Sequence, residues 1–131
     1  MSTAIYSHPD CSLHEMGEWH PESPARLQAI EDQLILARLD GLIEHREAPL
    51  AELPIIARNH TLDAIALVRE NVPAHPGEYY PLDADTLLNS SSYKAALRAA
   101  GAAVAATDAV IAGAIDNAFC SIRPPGHHAR P

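Results

Sequence analysis

The sequence is poor in cysteine, in aromatic residues and in basic side chains. Two cysteines in 131 residues, Cys11 and Cys120, are too few for a disulfide framework. Lysine and arginine number 9 against 17 acidic residues, which gives a net charge of −8. Binding to nucleic acid or to an anionic membrane needs basic surface, so the acidic balance argues against both partners.

No segment resembles a secretory signal or a membrane span. Residues 1–10 lack a basic region followed by an apolar one. The most apolar run, residues 95–115, consists largely of alanine and carries Arg98 and Asp108, so it is too weakly hydrophobic to cross a bilayer. We expect a cytoplasmic protein with reduced thiols, in which residues 1–131 form a single domain or part of a larger one.

Short apolar segments alternate with helical patterns along the chain. Strands are predicted over residues 3–6, 42–46 and 118–122. Helices are predicted from Ser23-Pro24 to about residue 39, and over 51–58, 61–71 and 92–115. Ser23 is the predicted N-terminal cap of the first helix, and Thr61 that of the helix over 61–71. This alternation favours an α/β fold with a parallel sheet flanked by helices. Because only three strands are predicted and the third lies near Pro131, we expect a fold that is truncated after its third strand.

The segment RPPGHHA, residues 123–129, carries the strongest chemical signal and follows the last predicted strand. In open α/β sheets the ligand crevice lies outside the carboxyl ends of the strands. Imidazole titrates near neutral pH, so His127 and His128 in that position suit acid–base chemistry. From chemistry alone, a rigid loop whose histidines only hydrogen-bond to nearby carbonyl groups is an equally good interpretation.

The sequence offers two other kinds of site, a metal site and a nucleotide site. Cys11 and His14 have metal-like spacing and His20 follows them, but a structural zinc site needs four ligands and no fourth is apparent. We therefore expect no metal site in this loop. A flavodoxin-like nucleotide binder is disfavoured because no glycine-rich phosphate loop follows the first strand.

Four motifs, in order along essentially the whole chain, resemble the histone deacetylase family, which includes the acetylpolyamine amidohydrolases. RPPGHHA is similar to the tandem-histidine motif of the family, and HPESPARL at residues 20–27 resembles its early HPE-x-P-x-RL segment. His60-Thr61 resembles a VHT-type segment, with Asn59 in place of an apolar residue. DADT at residues 83–86, with the alanine-rich helix after it, resembles the D-x-DT region of the class II-like branch.

The resemblance implies an arginase/deacetylase-type α/β fold and the hydrolysis of acetyl-lysine or acetylpolyamine amides. In that chemistry a zinc ion polarises the amide carbonyl and activates a water molecule. By resemblance His127 and His128 are the acid–base pair, and which of them is the base stays open. Asp83 and Asp85 would hold the backbone or the amine of the substrate, although aspartate also stabilises turns by bonding to its own backbone.

Further positions follow from the same resemblance. His20 would belong to the active-site loop and help to bind the substrate. Arg26 would lie near the floor of the substrate tunnel, with an ordinary surface position on its helix as the alternative. Trp19 would line the mouth of the site or cover the core, and Tyr79 and Tyr80 are expected to pack at the rim.

The zinc ligands and the catalytic tyrosine of the family belong to motifs that come after the tandem histidines, and this sequence reaches Pro131 without them. The resemblance therefore implies an N-terminal portion that binds no cofactor itself and is inactive alone. Open strand edges and apolar patches drive association, so we expect a dimer or larger oligomer, with an element that can be exchanged between subunits. The alternative is a free-standing, non-catalytic oligomer that keeps the scaffold for binding.

Overall fold

A short strand opens the chain, and two more strands of the same sheet follow much later. The computed structural model describes all 131 residues. In chain order the elements are β1 (Thr3–Ser7), α1 (Asp10–Leu13), α2 (Ala25–Leu36), β2 (Glu44–Glu47), α3 (Leu53–Ile56), α4 (Leu62–Asn71), β3 (Tyr80–Pro81), β4 (Leu87–Leu88), α5 (Ser92–Ile111) and β5 (Asn117–Cys120), with a 3-10 turn at Asp40–Leu42. None of the helices combines the length and the hydropathy that a bilayer crossing would require.

The main sheet has three parallel strands in the order β2-β1-β5. Ile5 of the central strand β1 lies opposite His45 of β2 and Phe119 of β5. Because all three strands are parallel, their carboxyl ends meet at one edge of the sheet. The predicted α/β class and the three-stranded parallel sheet are therefore confirmed, with strand ends within a few residues of the predicted ones.

Helix α5 packs on one face of the sheet and forms the core with it. The buried core residues are Ala4, Tyr6, Ala48, Ala102, Ala106 and Ile115. Small side chains on α5 let its backbone come close to its neighbours. At Gly101 the approach is closest, because a Cβ atom there would overlap the Pro49 carbonyl oxygen. The amide of Ala51 also donates to the carbonyl of Leu97 at 3.0 Å, so the segment after β2 lies directly on α5.

Several boundaries differ from the predicted ones for local reasons. Helix α2 ends at Leu36, before the predicted end, because Arg38 adopts a left-handed φ of 57° and the Leu39 amide turns back to the Leu34 carbonyl at 2.9 Å. The predicted Ser23 cap is wrong, since Pro24 takes the cap position and no side chain caps this end. The predicted Thr61 cap of α4 is confirmed, because its hydroxyl accepts from the Ala64 amide at 3.1 Å.

One short helix and one short hairpin lie outside the predicted elements. The loop over residues 9–21 contains the one-turn helix α1. The acidic segment over residues 83–86 is the tip of a hairpin, because β3 and β4 pair in antiparallel fashion on either side of it. Both elements are very short, and neither has a run of residues long enough to show a period.

The two outer strands of the sheet carry different side chains. Strand β2 reads Glu-His-Arg-Glu, and charged side chains are typical of an edge that faces water. Strand β5 reads Asn-Ala-Phe-Cys, and Phe119 is 50% exposed. Self-association through α5 and β5 stays a prediction.

The close approach at Gly101 predicts that Gly101→Ala destabilises the fold. Alanine at an unhindered helix position is better than glycine by about 1 kcal/mol, whereas overpacking costs about 1–3 kcal/mol. The obstacle here is a backbone carbonyl that cannot rotate away, so we expect a net loss of about 1–3 kcal/mol in the free energy of unfolding. Urea denaturation of both proteins measures it.

The matched control is Gly41→Ala, because a Cβ atom on residue 41 would meet open space. We expect it to leave the denaturation midpoint nearly unchanged. A Gly101→Ala protein at least as stable as the wild type would contradict the close packing of α5 against the segment after β2.

Candidate active site

The tandem histidines lie on a closed turn beyond the carboxyl end of β5. Gly126 has a φ of +79°, and the Ala129 amide donates to the Gly126 carbonyl at 3.0 Å, so His127 and His128 occupy the two central positions. Their ring centroids are 4.4 Å apart with an interplanar angle of 55°, and both residues are exposed. The turn therefore presents two neighbouring imidazoles to solvent at the edge where the parallel strands end.

A fully buried charge lies immediately before this turn. Arg123 is 0% exposed, and its guanidinium binds Glu22 in bidentate fashion, with Nε to Oε1 at 2.8 Å and Nη2 to Oε2 at 2.6 Å. Its Nη1 donates to the carbonyl oxygens of Cys11, at 3.1 Å, and of His14. One side chain thus joins the exit of β5, the loop after α1 and the HPE segment.

Arg26 reinforces this contact from the first turn of α2. Its Nη2 lies 3.2 Å from Glu22 Oε1 and donates to the Ile122 carbonyl at 2.9 Å. Burial favours the neutral form of Glu22, but the hydrogen bonds and charges of Arg123 and Arg26 outweigh it and hold the pKa of the carboxyl below its usual range. Arg26 therefore lies against the strand that leads into the histidine turn, while its side chain stays partly exposed.

His20 connects the HPE segment to the acidic hairpin tip. Its Nδ1 accepts from the Glu22 amide at 3.1 Å, and its Nε2 donates to the Asp85 carbonyl at 3.0 Å. Asp83 Oδ1 accepts from the Asp85 amide at 2.9 Å, and this bond, followed by one from Thr86, lowers the pKa of Asp83. The structure thus brings His20 and the two aspartates together, with Asp83 in the turn-stabilising arrangement and both carboxylates exposed.

Sequence reasoning missed the role of His14. This residue is 3% exposed, and its Nδ1 lies 2.7 Å from Ser92 Oγ, which also accepts from the Asn89 amide at 2.7 Å. Burial first, and then the charge of Arg123, lowers the pKa of His14 to about 4. His14 lies in the loop after α1 and Ser92 begins α5, 78 residues later, so no local pattern in the sequence could have revealed this contact.

The loop before His20 presents aromatic and acidic side chains to solvent. Trp19 is 95% exposed, so the alternative that it covers the core is wrong. The Tyr79 hydroxyl donates to Glu15 Oε1 at 2.5 Å, and the Gly17 amide donates to Glu15 Oε2 at 2.8 Å. Glu15 therefore connects the loop before His20 to the segment before β3.

The residues of this chain do not form a metal cage. No group of three histidine, cysteine, aspartate or glutamate side chains gathers in a way that could hold a metal ion. In the loop with metal-like spacing, Cys11 is buried and the His14 ring faces Ser92. These donors do not fit a zinc ion.

Comparisons with known proteins agree with the geometry. Residues 20–131 match the histone deacetylase domain. The chain is 35% identical over 136 residues to a probable deacetylase of Archaeoglobus fulgidus, which covers 100% of this chain and 36% of that protein. A histone deacetylase-like amidohydrolase of Pseudomonas aeruginosa is 35% identical over 112 residues, which covers 86% of this chain and 29% of that protein. The crystal structure of the HDA15 HD domain has a TM-score of 0.87 and 30% identity, over 98% of this chain and 36% of that chain.

The parallel sheet with its flanking helices and the match to the HDA15 HD domain define an α/β protein of the arginase/deacetylase type. The sequence match over residues 20–131 makes the assignment specific: the chain belongs to the histone deacetylase family, as its four motifs predicted. It spans between 29% and 36% of the length of the three proteins described above.

The buried pair of Arg123 and Glu22 predicts a large effect of Glu22→Gln on stability. This change keeps the size of the side chain but leaves the guanidinium buried without its counter-charge, which typically costs about 3–5 kcal/mol. Chemical denaturation at neutral pH measures the loss. Arg26→Gln is the matched control, because it removes only the partly exposed partner of Glu22 and should cost about 0–1 kcal/mol. Equal losses in the two variants would contradict a dominant role for the buried pair.

The low pKa of His14 predicts a specific dependence of stability on pH. The folded pKa is about 4 against an ordinary 6.5, so below pH 6.5 the unfolded chain binds a proton that the folded chain does not. Stability therefore falls as the pH drops from 6.5 to 4, by roughly 3 kcal/mol from this residue.

The test compares the free energy of unfolding of wild type and His14→Asn across that pH range. The variant should lose the part of the slope that His14 contributes, whereas His75→Asn, at an exposed position, should keep it. An unchanged slope in His14→Asn would show that His14 is not buried in its neutral form.

Proposed function

We propose that this chain supplies the acid–base part of a deacetylase site that hydrolyses acetyl-lysine or acetylpolyamine amides. One observation carries the proposal: two exposed imidazoles, 4.4 Å apart, lie on a closed turn at the carboxyl edge of a parallel sheet. Family membership supports it, and so do the names of relatives, which include a human polyamine deacetylase that is 32% identical over 140 residues.

In the proposed mechanism, His127 and His128 divide the two proton transfers of amide hydrolysis. One imidazole removes a proton from the attacking water, and the other delivers a proton to the departing nitrogen. Such general acid–base catalysis is typically worth about 10²–10⁴ in rate. Both rings are exposed on the same turn, so both can reach a substrate that enters from solvent.

The acidic hairpin tip is the proposed contact for the substrate amine or backbone. Asp83 is ionised at neutral pH like any aspartate with an ordinary pKa. Hydrogen bonds from the Asp85 amide and then from Thr86 lower its pKa further and favour the same charged form. His20 binds the Asp85 carbonyl, which ties this tip to the HPE segment, and Arg26 ties the same segment to the exit of β5. In this proposal His20 and Arg26 shape the substrate-binding side of the site.

The Lewis acid of the family is not assigned to any residue of this chain, because no three suitable side chains gather within it. Imidazoles alone do not replace a metal ion that polarises the carbonyl. The proposal is therefore that the 131-residue chain carries the acid–base pair without metal ligands and has no appreciable deacetylase activity by itself.

The first test measures turnover by the chain alone. We expect no release of acetate from a fluorogenic acetyl-lysine peptide or from an acetylated polyamine, with zinc present. Turnover at rates usual for an enzyme would overturn the claim that the chain is inactive alone.

The second test uses any in-frame coding sequence that continues beyond residue 131. In the longer product, His127→Ala and His128→Ala should each lower kcat by about 10²–10⁴. His75→Ala, which changes an exposed histidine in the turn-rich segment before β3, is the matched control and should leave kcat unchanged. Full activity in both histidine variants would refute the proposed acid–base pair.

A further inference from the structure

The histidine turn is attached to the rest of the fold at both of its ends. We propose that the Glu22–Arg123 pair and His60 are positioning residues, which together fix the orientation of His127 and His128. That these two imidazoles are catalytic rests on the function proposed above, whereas their positioning can be tested separately.

The rings themselves provide no anchor. Both residues are exposed, and neither ring makes a hydrogen bond to another side chain or to the backbone; their one described contact is with each other. The single bond between Ala129 and Gly126 closes the turn but does not attach it to the fold. The direction of the rings is therefore set by the backbone segments that enter and leave the turn.

The anchor before the turn is the buried guanidinium. Four of the five N–H groups of Arg123 are used: two by Glu22 and two by the carbonyl oxygens of Cys11 and His14. A planar fork held by these acceptors cannot rotate without breaking several bonds. Pro124 and Pro125 follow directly, and their fixed φ angles carry this constraint toward Gly126.

The anchor after the turn is His60. Its Nδ1 donates to the carbonyl oxygen of Arg130 at 2.8 Å, two residues beyond His128. The backbone of His60 is fixed in turn, because its amide donates to the Ile56 carbonyl at 3.0 Å and the next residue, Thr61, caps α4. His60 therefore joins the end of the histidine segment to the junction of α3 and α4.

Two fixed ends matter because proton transfer depends strongly on geometry. A misplacement of about 1 Å at a catalytic group can cost about 10²-fold in rate. A turn held only at Arg123 could swing about Gly126, and one held only at Arg130 could swing together with the Pro124-Pro125 segment. With both contacts in place, neither rotation is free.

The experiment follows the two rings by NMR on the 131-residue chain with labelled histidine. The readouts are the nuclear Overhauser effect between the His127 and His128 rings and the chemical shifts of their ring signals. His60→Ala should abolish the inter-ring effect and shift the ring signals of both residues. His60→Asn should restore both readouts, because its side-chain amide can donate in place of Nδ1. His75→Ala is the matched control and should change neither.

Glu22→Gln tests the other anchor and should also weaken the inter-ring effect, provided that its amide and methyl spectra remain those of a folded protein. Because that variant can lose its fold, His60→Ala is the decisive one, since His60 is only half-buried. Unchanged ring signals in a folded His60→Ala protein would overturn the proposal. If the rings respond as expected but His127→Ala keeps full activity in a longer product, the positioning stands and the proposed function fails.

Discussion

The burial of one guanidinium is the constraint on which the rest of the site depends. Arginine cannot lose its proton inside a protein, so a buried arginine must find both a counter-charge and enough acceptors. Arg123 finds them in Glu22 and in two carbonyl oxygens from the segment around α1. These acceptors lie in α1, in the loop after it and in the HPE segment before α2. All three segments must therefore meet the exit of β5 at one point. The site is therefore assembled around a charge, beside a core built mainly from alanine.

Local patterns were enough to predict the elements that have a clear apolar pattern, a strong helix propensity or a clear end signal. The three strands, the Thr61 cap and the long alanine-rich helix follow from apolar runs, from one hydroxyl and from helix propensity. The same reasoning failed where an element is only one turn or two residues long, as in α1 and the hairpin β3-β4. It also failed at the end of α2, where Arg38 adopts the left-handed conformation that glycine usually adopts at a helix end.

The residues of the site were easier to predict than their contacts. The motifs identified His20, Asp83, Asp85 and Arg26 as site residues. They did not indicate that His20 binds the Asp85 carbonyl, 65 residues away. Charged side chains are rarely fully buried, so a sequence gives no local reason to place Arg123 in the interior. The available signal was indirect: Glu22 and Arg123, of opposite charge, each belong to one of the two strongest motifs.

The same guanidinium sets the protonation of its neighbours. After burial, the charge of Arg123 is the next cause that keeps His14 neutral, and its hydrogen bonds and charge keep Glu22 ionised. Both effects remove protons from the anchor before the histidine turn, so near neutral pH His14 and Glu22 each have one protonation state. Since the imidazoles of the turn must exchange protons in any acid–base role, an anchor before the turn that does not titrate in the same range lets them do so without disturbing that end of the turn.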